Sequence, residues 1–97
     1  MARIVFAATA LNDLGRIVEF LLQRSERAAE EAYRQIRTAI DVLSAHPRIG
    51  RRVRGQLRAL VITHGASGYI ALYRFDAALS VVRILRIRHQ REAGFRD

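Results

Sequence analysis

The stretch Leu43-Ser44-Ala45-His46-Pro47-Arg48-Ile49-Gly50-Arg51-Arg52-Val53-Arg54-Gly55-Gln56-Leu57-Arg58-Ala59-Leu60-Val61-Ile62-Thr63 divides the chain into two kinds of sequence. Before it, apolar residues recur every three to four positions, the period of a helix lying on a core. After it, short β-branched and aromatic runs alternate with tight links, the pattern of strands. His46-Pro47 marks the switch, because the residue preceding a proline is pushed out of the helical region. Arg48 to Gly55, with two glycines and four arginines, reads as irregular chain. Leu57 to Thr63 then reads as the first strand beyond it.

Upstream of the switch, Ser25 is placed to cap a helix whose stripe is Ala29, Tyr33, Ile36, Ile40 and Leu43. A preceding helix is expected from a Thr9 cap to about Arg24, with Leu11, Leu14, Ile17, Val18, Leu21 and Leu22 on one face. The short Ser25 link makes the pair an antiparallel hairpin. Residues 3–7, Arg-Ile-Val-Phe-Ala, suit a short first strand. Downstream, residues 64–68 read as a turn, Tyr69 to Phe75 as a strand, Asp76-Ala77-Ala78 as a tight connection and Leu79 to Arg88 as a last strand. The last strand is apolar on both sides near its start, as in a central strand. Strict alternation puts Val82 and Ile84 with Arg86 and Arg88, and Val81, Leu85 and Ile87 with Arg83 and His89. The expected fold is therefore α+β, in the order β-α-α-β-β-β, with a helical hairpin packed on an antiparallel sheet.

Ninety-seven residues predict a single domain over 1–97, with 51% apolar residues for its core. Without cysteine there is no disulfide or thiolate metal site. His46 and His64 lack clustered carboxylates, so neither a metal site nor a cofactor is expected. The longest run without a charge, Ala59 to Tyr73, holds two glycines and is too short to span a bilayer, and Ile4 to Ala8 is too short for a signal-peptide core. No membrane association and a cytoplasmic location are expected.

The net charge is +8, and every basic residue is arginine. Residues 1–47 balance six arginines against six carboxylates, whereas residues 48–97 hold eleven arginines against three. A high-GC genome explains arginine over lysine, but it does not explain a neutral half joined to a basic one. That asymmetry predicts a polyanionic partner or an acidic protein segment.

Several pieces then resemble one family. Ala10-x-x-Asp13-Leu14-x-x-Ile17, Leu43 with Pro47-x-x-Gly50-Arg51, Leu57-Arg58-x-Leu60, Gly68-Tyr69 with Tyr73-Arg74, and Ile84-Leu85-Arg86-Ile87-Arg88-His89-x-Arg91-Glu92 are similar to the RelE/ParE toxins of bacterial type II toxin–antitoxin systems, and most to the ParE-like branch. The resemblance runs from Ala7 to about Phe95. It implies a toxin bound and neutralised by a cognate small antitoxin with an acidic and apolar C-terminal segment, as a hetero-oligomer. A groove between helical hairpin and sheet would hold that segment. ParE-like members poison DNA gyrase; RelE-like members cut mRNA on the ribosome.

For the gyrase-directed reading the expected target- or antitoxin-binding residues are Arg51, Arg52, Arg54, Arg58, Tyr69, Tyr73, Arg88 and Arg91, with no catalytic group. The arginines could receive phosphates or antitoxin carboxylates, or be solvated surface. Tyr69 and Tyr73 would serve as a core or partner-binding pair sooner than as a base-stacking one. The alternative is a ribosome-dependent endoribonuclease, which needs proton transfer and cations around the phosphorane. Its available parts are His89, Arg74, Arg83 and Arg86. The chain lacks the lysines on which many such nucleases rely, and Phe95 offers no hydroxyl.

Overall fold

In the computed structural model, which describes residues 1–64 and 67–90, the first strand β1 (Arg3–Phe6) leads into helices α1 (Ala8–Leu22) and α2 (Glu26–Ala45). Strands β2 (Arg51–Arg54), β3 (Leu57–His64), β4 (Ser67–Asp76) and β5 (Val81–His89) follow. Ser25 caps α2 as its side chain predicts, its Oγ accepting the Ala28 N–H at 3.1 Å. Thr9 does not cap α1. The helix begins at Ala8 behind an uncapped Ala7, and the Thr9 hydroxyl instead donates to the Leu85 carbonyl at 2.7 Å. The reason is local: α1 starts against β5, which offers Thr9 an acceptor that lacks a strand neighbour.

The sheet order is β1-β5-β4-β3-β2, so β5 is internal as its apolar start implies. The last three strands pair antiparallel, Leu57↔Arg74 through His64↔Ser67 and Tyr69↔His89 through Asp76↔Val81. Two features differ from expectation. First, β1 runs parallel to β5, Arg3↔Val81 through Phe6↔Ile84, which makes the sheet mixed. The helical hairpin carries the chain from β1 at one edge of the sheet to β2 at the other, and the meander then brings β5 back beside β1. Second, the segment expected to be irregular contains β2, an exposed edge strand pairing Arg51↔Ala59 and Arg52↔Arg58. Its arginines show no apolar alternation; pairing with β3 makes it a strand.

The helices cover one face of the sheet. Ile36, Ile40 and Leu43 from α2 meet Ile62, Tyr69, Ala71, Tyr73, Val82, Ile84 and Ile87 from the strands, with Leu14 of α1 beside them. Tyr33, placed on the apolar stripe by spacing, is 44% exposed, and Ala32 takes the buried position. Leu11 and Leu22 are likewise exposed, because α1 turns only a narrow stripe inward. A bulge corrects the expected faces of β5. Leu72 lies opposite Arg86 but Tyr73 opposite Ile84, so one extra β5 residue is inserted. Ile87 therefore joins Val82 and Ile84 on the helix side, which strict alternation does not allow.

Gly50 closes the link from α2 to β2 over the Tyr73 ring, and the tyrosine hydroxyl accepts the Gly50 N–H at 2.8 Å. A Cβ at this position would lie 2.6 Å from both ring Cε1 and the hydroxyl oxygen of a fully buried side chain. Gly50→Ala is expected to cost about 1–3 kcal/mol by overpacking, lowering the thermal midpoint by roughly 5–20 °C. An unchanged midpoint would show that Tyr73 gives way freely.

Candidate functional site

The only charged residue buried among the described ones is Asp13, 2% exposed on α1. It sits in the apolar stripe of Ala10, Leu14 and Ile17, turned toward β5 just past the point where β1 ends. Its Oδ2 accepts Arg86 Nε at 2.8 Å and the Ile87 N–H at 3.0 Å, while Oδ1 accepts Arg86 Nη2 at 3.1 Å and Arg16 Nη2 at 2.8 Å. β1 pairs with β5 only as far as Ile84, and Ala7 N–H adds a bond to the Ile84 carbonyl. Beyond that, side chains of α1 do what a strand would have done: Thr9 takes the Leu85 carbonyl and Asp13 the Ile87 N–H. Burial works against the Asp13 charge, but the bonds from Arg86, the Ile87 N–H and Arg16 outweigh it and hold the carboxyl below its ordinary value. The bidentate contact with Asp13 correspondingly raises Arg86. Asp13 is not among the residues expected to act; an aspartate on an apolar stripe is the signal that marks it.

Arg86 is thus held against α1 as part of the scaffold. Arg74 and Arg83 are exposed cross-strand partners on the sheet face away from the helices. His89 lies on the other face, where its partner Tyr69 is buried, the two rings meeting edge to face at 5.4 Å. The four residues named for RNA cleavage do not share one surface. Along β5, Arg83 and His89 are separated by about 20 Å.

Tyr69 and Tyr73 are core residues, 3% and 0% exposed, and present no ring face to a partner. Burial raises both phenols, with the Gly50 N–H and the Arg58 charge partly opposing it at Tyr73. Arg51, Arg52 and Arg54 line the exposed edge strand, and Arg52 Nη2 donates to the Gly55 carbonyl at 3.0 Å. Arg58 is turned inward, its Nη1 donating to the carbonyls of Arg48 and Gly50 at 3.0 and 2.8 Å. Arg88 is half-buried opposite Ile70. Arg91 lies outside the described residues.

The space between hairpin and sheet, expected as a partner groove, is filled by the core. Open clefts lie elsewhere among the described residues. One, about 480 Å³, is mainly apolar and runs between the outer sides of α1 and α2, lined by Val18, Leu22 and Tyr33 together with Glu30, Arg34 and Arg37. Another, about 560 Å³, is basic and lies at the end of the sheet. Among the described residues no three histidine or acidic side chains cluster as metal ligands, and no helix is long and apolar enough to cross a membrane.

A family model described as the ParE toxin of the type II toxin–antitoxin system parDE matches residues 4–94. Two Caulobacter vibrioides proteins, toxin RelE3 and toxin RelE2, are 34% and 36% identical, over 95% and 92% of this chain and 98% and 96% of their own. The fold is similar to a chain of the chromosomal ParDE system from P. aeruginosa, with TM-score 0.72, 22% identity and coverage of 91% of this chain and 95% of that one. It is also similar to a chain of the RelBE2 toxin–antitoxin complex of Mycobacterium tuberculosis, with TM-score 0.57, 28% identity and coverage of 91% and 96%.

Proposed function

The chain belongs to the RelE/ParE family of type II toxin–antitoxin toxins, and from that premise we propose that it arrests growth by binding DNA gyrase, without chemistry of its own. One observation carries this reading: the side chains an RNA-cleaving site would need are divided between the two faces of the sheet. Proton transfer and charge stabilisation must act on one phosphate within hydrogen-bond reach. His89 packs on Tyr69 at the helix side, Arg74 and Arg83 stand on the opposite face, and Arg86 is committed to Asp13. A binder has no such requirement and can spread its contacts over the exposed arginines.

The chain's activity is held in check by a cognate antitoxin. The groove between α1 and α2 supports a segment that is apolar where it meets Val18, Leu22 and Tyr33 and acidic where it meets Arg34 and Arg37. The apolar anchors would carry most of the affinity, and the rim charges mainly the association rate.

The test is negative supercoiling by purified gyrase, run beside a ribosome-dependent mRNA cleavage assay with the same toxin preparation. Supercoiling should stop and the message should stay intact. Site-specific cleavage with unimpaired supercoiling would move the chain to the ribonuclease reading, which its RelE-named relatives favour.

A further inference from the structure

β4 outruns its neighbour at one end of the sheet. The last β3–β4 pair is Leu57↔Arg74, yet β4 continues to Asp76. The overhang and the β2–β3 turn at Gly55 and Gln56 enclose the basic cleft, whose wall carries Arg48, Arg52, Arg58, Arg74, Phe75 and Asp76.

Three of its four guanidinium groups are already fixed by the protein. Arg58 is tied to the carbonyls of Arg48 and Gly50, Arg52 to that of Gly55, and Arg48 lies over the Phe75 ring, 4.9 Å from its centroid. The hydrogen bonds of Arg58 and Arg52 and the ring contact of Arg48 leave further N–H donors of each five-donor group for a ligand. None of the four has a carboxylate partner among the described residues. Asp76, the one acid on the wall, turns Oδ1 to the Leu79 N–H at 3.1 Å and closes the β4–β5 turn.

Like charges also face each other directly. Arg52 lies opposite Arg58 on β2–β3, and Arg74 opposite Arg83 on β4–β5. Such cross-strand pairs destabilise a sheet unless an anion sits between them. The first pair lies in the cleft wall and the second contributes Arg74 to it, so the cleft is a place where the folded chain tolerates repulsion that a bound anion would relieve.

We propose that this cleft is a phosphate-binding site that seats the backbone of a nucleic acid. Phosphate chemistry fits better than the carboxylates of a protein segment, because a docked segment draws its affinity from apolar anchors. The cleft offers only Ala77, Ala78 and a Phe75 ring covered by Arg48. Phosphate needs only fixed N–H forks. The basic surface continues past the cleft along Arg51 and Arg54 of the edge strand, as a repeating anion requires. The inference stands apart from the gyrase reading, since it concerns nucleic acid with no enzyme present.

The experiment uses the full chain and a labelled duplex of arbitrary sequence, with binding followed by anisotropy from low to moderate salt. Competitors are ATP, inorganic phosphate and polyglutamate. Arg52→Gln/Arg74→Gln removes two cleft charges, and Arg24→Gln/Arg27→Gln removes two from the exposed end of the helical hairpin as a control for net charge. The cleft variant should bind at least about tenfold more weakly, with a salt slope shallower by nearly 2, one phosphate contact being worth about 0.9. The control should change by less than about twofold. With repulsion relieved, the cleft variant's thermal midpoint should hold or rise. Arg74→Gln alone, on an exposed side chain, gives the same reading at half the effect if the double variant folds poorly.

Equal losses in cleft and control variants would reduce the effect to bulk charge and overturn the site. A fall in midpoint without loss of duplex affinity would make the arginines structural and overturn it too. Polyglutamate displacing the duplex at lower charge concentration than competing duplex would assign the cleft to carboxylates. ATP or phosphate binding in the cleft without duplex binding would leave a free-phosphate site and overturn the nucleic-acid source.

Discussion

Asp13→Ala is expected to remove about 3–5 kcal/mol of stability, the usual penalty for breaking a buried ion pair by deleting one partner. The loss has two parts. Arg86 keeps a half-buried guanidinium with no acceptor, and the Ile87 N–H loses its bond at the point where β1 no longer covers β5. Domains of this size hold about 5–15 kcal/mol in all, so the loss removes a large share of the total and should lower the thermal midpoint steeply. Asp13→Asn should cost less, since the amide oxygen can still accept one bond. Chemical denaturation checks both, and a loss below about 1 kcal/mol for Asp13→Ala would show that the contact contributes little.

The same carboxylate gives a pH signature. Its folded pKa is held below the unfolded value of about 3.9. The stabilisation is therefore fully present above the unfolded pKa and disappears as pH falls through the folded one. Between pH 6 and pH 3 the parent should lose stability faster than Asp13→Asn. Parallel curves would sink the assignment.

His89→Gln should leave the chain toxic and still able to block supercoiling. A nuclease moving a proton through His89 would instead lose on the order of 10²–10⁴ in rate. The contrast is large enough to read in cells, provided the variant melts like the parent, because the ring packs edge-on against Tyr69. Toxicity abolished in a folded variant, with an mRNA cleavage site that vanishes alongside, would reassign the protein to the ribonuclease branch.

The helices, the β3–β4–β5 meander and the Pro47 switch were legible because each follows from a period carried by neighbouring residues. The features that escaped are those decided elsewhere in the chain. Arg51-Arg52-Val53-Arg54 has no strand pattern; β3 supplies its partner. The β5 bulge, which moves Ile87 to the core side, is a mismatch between two strands and has no local signature. Asp13 was visible as an acid on an apolar stripe, but its partner lies 73 residues away. For the arginines, spacing gave the charge and not its geometry. It could not separate Arg58 and Arg86, which bond within the fold, from Arg52 and Arg74 at the cleft. Tyr69 and Tyr73 were placed on one face correctly, and that face is the interior.

The parallel pairing of β1 with β5 also sets a clock. Arg3 is completed by Val81, made 78 residues later, and Asp13 by Arg86, made 73 later. At about 5–20 residues per second of synthesis, the first strand waits roughly 4–16 s for its neighbour. Until then β1 has no ladder, and the acid at Asp13 no counter-charge from Arg86. The hairpin can form early from local contacts, but the sheet cannot close. A chain built this way cannot complete its sheet while it is being made, and an antitoxin gains that interval to be present before the fold is finished.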